Sequence, residues 1–283
     1  MGFKNNYHTH TFRCGHAGEY KDEEYVISAI NNGLEVLGFS DHIMLPGISE
    51  PTIRGDYSLL DNYISSINSL KTKYQKDIKI YLGFEAEALP MFYDYYKNLL
   101  DTKKIEYLIL GNHSYYEDNR LINYFKDPNK LNEDLEKYTN LLIDAMSTGL
   151  FKYVAHPDLF MKYFNSWDNH LVDVTNRICD ASLKYDIPLE INLACCFDRV
   201  PNIGIKEVFK YPYIEFWKIV EEKGCKVIIG VDAHKPSRFD RTQDVVDYTL
   251  NALNLNLNII DEIEVNIWNY LLLETLVLVN PIL

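Results

Sequence analysis

The 283-residue sequence predicts a parallel α/β protein whose strands close, or nearly close, into a barrel. Three observations lead there. Apolar, β-branched runs recur between longer segments of helical periodicity, the pattern of strand–helix repeats. At 47% hydrophobic and 24% charged residues, a chain of this length can bury the core of one barrel-sized domain. Six of the eight histidines fall in or just after the C-terminal ends of the candidate strands, and a parallel barrel gathers those ends at one mouth.

The first candidate strand is residues 4–10, KNNYHTH. Side chains at i and i+2 of an extended strand share a face, so His8 and His10 would present their rings side by side in a chelating geometry. A helical segment, 21–33, follows and ends at Gly33, a residue type that helix ends favour. Residues 34–42, LEVLGFSDH, form the second strand, and 58–75 the next helix. Strands at 78–87 (IKIYLGFEAE) and 105–113 (IEYLILGNH) precede a helix at 131–149 that stops at Gly149. Residues 152–158 (KYVAHPD), a helix at 172–186, 187–193 (IPLEINL) and 226–234 (KVIIGVDAH) complete the series. No low-complexity tract or linker rich in Pro, Gly and Ser interrupts it, so 1–283 reads as one domain. The part from about residue 255 is expected to pack on the barrel. Its segment 269–283, NYLLLETLVLVNPIL, contains Glu274 and is too short to span a bilayer.

Lys and Arg number 28 against 41 Asp and Glu, a formal charge of -13 without a basic run, so polymeric nucleic acid is disfavoured as a partner. A small anionic substrate stays open, because bound cations reverse a local field. The opening residues lack the pattern of a signal peptide, and no apolar run reaches membrane-span length. Five cysteines without paired spacing indicate reduced thiols and a cytoplasmic protein, with the adjacent Cys195 and Cys196 expected to be buried and inert. Tyrosine is abundant, 22 residues, and is assigned to packing.

Beside the histidines at the strand ends stand acids. Glu85 ends its strand, and Asp232 precedes His234 with the same i, i+2 spacing as His8 and His10. His16 follows in the first loop, and only His170 lies outside the scheme. His8, His10, His16, His42, Glu85, His113, His156, Asp232 and His234 exceed what one cation needs, which points to two or three ions with bridging ligands.

The ordered motifs HTHT, CGHA, SDH, GFEAE, GNHS, AHPDL, EIN and VDAH resemble the PHP superfamily, from about residue 7 to about residue 245. LGFEAE, FKYVAHPDLFMKYF, LEINLA and KYPYIEFWKIVEEKGCKVIIGVDAHKPSRF are similar to the stand-alone histidinol-phosphatases within it. The resemblance implies a distorted (β/α)7 TIM-like barrel with three divalent metal ions, zinc, iron or manganese. It implies that His8, His10, Glu85 and Asp232 hold one ion. Glu85 would bridge to a second, held also by His113 and His156, while His16, His42 and His234 would hold the third. The chain departs from the family at Asn112, His113 and Ser114, where Ser-Val-His is usual. It departs again at LACCFDRVPN, residues 193–202, where a Thr-Ser-Gly-Leu-Arg-like segment is usual. Both departures touch substrate loops rather than ligands.

Three such ions with two carboxylates carry a charge of roughly +4, which attracts a phosphate dianion, and a hydroxide bridging two ions is the expected nucleophile. The expected reaction is hydrolysis of L-histidinol phosphate to L-histidinol and inorganic phosphate, in histidine biosynthesis. Alternatives are another small phosphomonoester, a phosphotyrosine protein, a phosphodiester, or a non-catalytic metal-binding domain. Asp232 and His234 are catalytic candidates. Arg199 is the first choice for gripping phosphate bidentately, followed by Arg238 and Arg54, with Arg13 and His42 also near the expected mouth. Asp41 and Asp158 are candidates to orient ligand imidazoles, Glu87 to do so or to touch substrate, and Asp198 to meet a substrate ammonium.

Overall fold

The computed structural model describes residues 2–197 and 211–265. Its parallel strands run β1 (Asn5–Asn6), β2 (Val36–His42), β3 (Lys79–Ala86) and β4 (Tyr107–Leu110), hydrogen-bonded in that order. An antiparallel hairpin follows, β5 (Ser114–Glu117) and β6 (Arg120–Asn123), then β7 (Leu189–Asn192), β8 (Lys226–Gly230) and β9 (Asn258–Ile259). The expected strand at 152–158 is reduced to Val154, which bridges in parallel to Leu110 on one side and Leu189 on the other. A parallel bridge between Thr9 and Ala233 joins the first stave to the last, so the sheet closes on itself with seven staves.

β1 is shorter than the 4–10 segment suggested: beyond Asn6 the ladder with β2 is interrupted, though the Ser40 N–H still donates to the Thr9 carbonyl at 2.9 Å, and the same stretch pairs with the chain after β8. The His10 N–H donates to the Ala233 carbonyl at 2.9 Å and the Ala233 N–H to the His8 carbonyl at 3.2 Å. Where β1 and β8 diverge at the opposite end, β9 pairs with β8, and Asn5 donates to the Asp261 carbonyl at 3.0 Å. Ile260, Ile263 and Val265 pack there against the barrel interior. Residues 266–283 lie outside the described residues.

Inward and outward positions alternate along the staves, as the pleat requires. Outward residues such as Leu37, Phe39, Leu82, Phe84, Leu108, Ile191 and Val227 meet the helices. Inward residues include Val36, Tyr81, Tyr107, Ile109, Tyr153 and Ile228, which fill the barrel floor. Tyr107 spans this interior, and its hydroxyl donates to the carbonyls of Tyr7 (2.8 Å) and Phe39 (3.0 Å). Gly83 leaves room for that ring: a Cβ there would lie 2.5 Å from Tyr107 Cε1.

Among the described residues seven α-helices cover the staves: α1 (Asp22–Asn31), α2 (Leu60–Lys73), α3 (Tyr93–Asp101), α4 (Leu131–Ser147), α5 (Asn169–Tyr185), α6 (Ile214–Lys223) and α7 (Thr242–Leu253). Their buried faces follow helical spacing, as with Leu60, Tyr63, Ile67 and Leu70 in α2. His170 begins α5 and pairs at the surface with Glu136 at 2.7 Å, which explains its place outside the strand-end pattern. The β5–β6 hairpin, not anticipated from sequence, turns on Asp118 and Asn119, both with positive φ (50° and 61°), as a two-residue hairpin loop demands.

Gly83→Ala is expected to destabilise the fold by about 1–3 kcal/mol through overpacking against Tyr107, read as a lower urea midpoint at unchanged slope.

Candidate metal centre

The inward positions at the C-terminal ends of the staves are polar where the floor is apolar. Strand register does much of the assembly. His42 lies directly beside Glu85 across the β2–β3 pair, and the Thr9–Ala233 bridge sets the His8/His10 motif alongside Asp232 and His234. His156 and Asp232 hold positive φ (35° and 51°), conformations that cost non-glycine residues about 1–3 kcal/mol and concentrate at functional sites.

Three histidine pairs face each other through their Nε2 atoms: His8 and His10 at 3.1 Å, His113 and His156 at 3.2 Å, and His16 and His234 at 2.9 Å. Neighbouring acceptors claim the Nδ1 side of four of these six rings. His8 Nδ1 is 2.8 Å from Glu190 Oε1, His113 Nδ1 is 3.1 Å from Glu87 Oε1, His16 Nδ1 is 3.2 Å from the Cys14 carbonyl and His234 Nδ1 is 3.1 Å from the Asp232 carbonyl. In the His16–His234 pair both Nδ1 atoms are claimed; with protons there the two Nε2 lone pairs point at each other, and a positive charge, proton or metal ion, must lie between them.

The carboxylates complete the donor sets. Glu85 Oε2 is 3.6 Å from His8 Nε2 and 3.5 Å from His10 Nε2, while Asp232 Oδ1 is 3.6 and 3.2 Å from the same atoms. Four donors at the corners of a tetrahedron, about 2.1 Å from a cation, stand about 3.4 Å apart, and this set matches that edge. Glu85 Oε1 turns the other way, 2.8 Å from His156 Nε2 and 3.5 Å from His113 Nε2. One carboxylate therefore serves two histidine pairs. A Cβ at residue 111 would lie 2.1 Å from Glu85 Oε1, so Gly111 is what lets that oxygen sit there.

Charge follows the geometry. Burial alone would push the His8 imidazole down, but Glu190, Asp232 and Glu85 together outweigh it and raise its pKa to about 10. His234 is raised to about 9: burial and His10 act against the proton, and Asp232 outweighs them. His42 goes the other way, well below the usual imidazole range, because burial dominates over the pull of Glu85. Burial opposes ionisation of Glu85 and Asp232, yet the surrounding histidines hold both well below the usual carboxylate range. A cluster this rich in anionic oxygen and imidazole, buried at His8, His10, His42, Glu85 and His156, fits divalent cations.

Behind the donors stands a further row of acids, among which the sequence reading did not single out Glu190. Glu190, at the barrel interior, binds His8 with Oε1, and its Oε2 accepts from the His156 N–H (3.0 Å) and Asn192 Nδ2 (2.9 Å). Its inward position in β7 was the available signal. Glu87 accepts the His113 N–H at 2.6 Å and the Ser114 N–H at 3.2 Å, so it supports His113 and is no substrate contact. Asp41 Oδ1 stands 3.6 Å from His10 Nδ1. Asp158 does not orient an imidazole: its Oδ2 accepts from the Tyr213 N–H (2.8 Å) and Trp217 Nε1 (2.9 Å), anchoring α6.

The arginines need correction. Arg54 is fully buried and does not reach the mouth. Its guanidinium binds Glu87 Oε1 (2.9 Å), Glu50 Oε2 (2.8 Å) and the Ile43 carbonyl (3.2 Å), because the buried Glu87 carboxylate requires a counter-charge. Arg13 is buried against Asp22 and Asn62. Arg238 lies over the Phe197 ring, 4.5 Å from its centroid. Asp198 and Arg199 fall outside the described residues. Cys196 is buried as expected, whereas Cys195 is exposed and lines the mouth.

That mouth is a cavity of about 390 Å³ reaching His10, His42, Glu85, His113, His156, Asp232 and His234. Its outer wall includes Tyr124 and Phe125, just after the hairpin, Tyr163 after β4's neighbouring stave, and two lysines, Lys126 and Lys162.

The family model for the PHP domain matches residues 6–194. The chain belongs to the PHP domain family. Over 242 residues it is 26% identical to a Deinococcus radiodurans protein named "Probable histidinol-phosphatase", covering 81% of this chain and 85% of that one. Among solved structures, a candidate histidinol phosphatase of Listeria monocytogenes superposes with a TM-score of 0.65 at 20% identity, over 84% of this chain and 98% of the other. The histidinol phosphate phosphatase of Lactococcus lactis, solved with zinc, L-histidinol and phosphate, gives 0.62 at 19% identity, over 93% and 99%. These likenesses show a common fold, the curled parallel barrel of this PHP domain. No helix among its described residues is long and apolar enough to cross a membrane.

Two outcomes follow for this PHP domain. Arg54→Met should cost about 3–5 kcal/mol of stability in chemical denaturation, since it strands Glu87 and Glu50. Zinc binding to metal-stripped protein at pH 7 should release protons, because His8 and His234 hold theirs at that pH. Calorimetric binding enthalpies should then vary with the ionisation enthalpy of the buffer, and affinity should rise as pH climbs towards 9.

Proposed function

We propose that this chain is a metal-dependent phosphomonoester hydrolase that converts L-histidinol phosphate and water to L-histidinol and phosphate, in histidine biosynthesis. The observation that carries this reading is Glu85, with one oxygen turned to His8 and His10 and the other to His113 and His156, at the base of a cavity of about 390 Å³. The names of the Deinococcus and Lactococcus relatives support the substrate.

In this reading His8, His10, Glu85 and Asp232 hold one ion, Glu85, His113 and His156 a second, and His16, His42 and His234 a third, with zinc the favoured metal. Divalent cations held there supply positive charge opposite the phosphoryl oxygens and acidify water. The protein's own groups do the rest. Glu190, Glu87 and Asp41 fix the imidazoles so that lone pairs face inward. Lys126 and Lys162 bring positive charge to the outer wall, where a phosphate dianion enters, and Arg199 is the arginine proposed to grip it. Tyr124, Phe125 and Tyr163 offer flat apolar faces to a planar ring. Asp232, ionised and beside the reacting position, moves the proton between water and the leaving alcohol oxygen. The acidic chain as a whole supports a small substrate over a nucleic acid.

The test is steady-state hydrolysis by metal-replete protein of L-histidinol phosphate beside p-nitrophenyl phosphate, a phosphotyrosine peptide and a phosphodiester. L-Histidinol phosphate should be preferred in kcat/KM by at least about 100-fold, the scale that an apolar pocket gives. His113→Ala should remove at least about 99% of that activity, since it strips a donor from the second ion. Equal, slow turnover of every monoester would sink the substrate assignment. No turnover by protein with metals bound would sink the enzyme.

A further inference from the structure

The two oxygens of Asp232 keep different company. Oδ1 faces the histidines, 3.2 Å from His10 Nε2, 3.6 Å from His8 Nε2 and 3.2 Å from His234 Nδ1, and it is buried without a hydrogen-bond donor among the described residues. Oδ2 accepts from Asn192 Nδ2 at 3.1 Å. The same amide nitrogen donates to Glu190 Oε2 at 2.9 Å, and Asn192 Oδ1 accepts the Ala194 N–H at 2.9 Å. Asn192 is buried, and both polar atoms of its side chain are engaged.

We propose that Asn192 is the positioning residue of Asp232: by holding Oδ2 it turns Oδ1 to the cation shared with His8, His10 and Glu85. This rests on the metal-centre reading above. The sense of the amide is fixed by its surroundings. Reversed, it would set its oxygen against two carboxylate oxygens and its NH2 group against the Ala194 N–H, like against like at all three contacts.

Strand geometry brings the three side chains together. Glu190 and Asn192 occupy alternate positions of β7 and share its inward face. Asn192 pairs with Gly230 at the end of β8, two residues before Asp232, whose backbone turns there with φ 51°. A Cβ at Gly230 would lie 1.8 Å from Glu190 Oε1, so that glycine makes room for the carboxylate with which Asp232 shares the amide. Glu190 in turn binds His8 Nδ1 at 2.8 Å. One amide therefore sets two donors of the same cation, Asp232 directly and His8 through Glu190. Without it, two buried carboxylates would stand together with no donor between them, and Asp232 would be free to rotate.

Two variants separate positioning from shape. Asn192→Ala removes the whole amide, whereas Asn192→Asp keeps the size of the side chain and the acceptor for the Ala194 N–H but loses the amide donors. Both should bind zinc on the order of 10–100-fold more weakly than wild type. Loaded with cobalt(II), whose visible absorption depends on donor geometry, both should give a spectrum that differs from wild type at equal cobalt content. A side chain that only ties β7 to β8 would change stability and leave the spectrum alone. Wild-type zinc affinity or a wild-type cobalt spectrum in either variant would thus overturn the proposal and leave the metal centre standing. A crystal structure of zinc-loaded wild-type protein should show the ion on one Asp232 oxygen and Asn192 Nδ2 on the other. An ion on both oxygens, or Asn192 released from Asp232, would overturn the proposal even if neither variant folds. Wild-type protein that takes up neither zinc nor cobalt would overturn the metal centre and the proposal together.

Discussion

Glu85 is the constraint around which the rest is arranged. A buried carboxylate with both oxygens turned to imidazoles is tenable only if positive charge surrounds it, and His8, His10, His42, His113 and His156 all approach it. They come from four separate stretches of the chain, so their meeting depends on the barrel being closed and in register. A slip of one residue between β2 and β3 would turn His42 to the outer face and leave Glu85 beside a different neighbour. Fold and site are therefore specified by the same pairing.

Around this carboxylate the protein alternates charge in layers. Glu190, Glu87 and Asp41 stand behind His8, His113 and His10, and Arg54 stands behind Glu87. Each layer is buried and would be costly alone. Together they set which nitrogen of each ring carries its proton, which decides where lone pairs point. The apolar floor of Tyr81, Tyr107 and Tyr153 keeps water from reaching the layer from below.

Much of this was legible in the sequence, for physical reasons. The period-two pattern of strands put His8 with His10 and Asp232 with His234, and strand ends of a parallel barrel meet whatever their order in the chain. What could not be read was pairing between elements. That His42 meets Glu85 depends on the register of β2 against β3, and that His16 meets His234 on a reversal at Gly15. Arg54, in a polar loop sequence, gave no sign that the buried Glu87 claims it together with Glu50. Glu190 looked like an ordinary strand residue because its partner, His8, lies at the other end of the chain. The β5–β6 hairpin, whose Asp-Asn turn lacks glycine, was passed over, although the chain beyond it lines the mouth.

The closure of the barrel carries a consequence for how the protein is made. The Asn6 side chain accepts the N–H of Val231, 225 positions later, and Thr9 meets Ala233 just beyond. During synthesis the first two histidines leave the ribosome long before Asp232 and His234 exist. At about 5–20 residues per second, tens of seconds separate them at the slower end. Through that interval the nascent chain carries several histidines and a buried-to-be glutamate with no closed barrel to set their geometry. Selective capture of a metal must wait until nearly the whole domain has emerged. Any ion gripped earlier would be held by a partial donor set, which makes the last stave a proofreading step for what the first one binds.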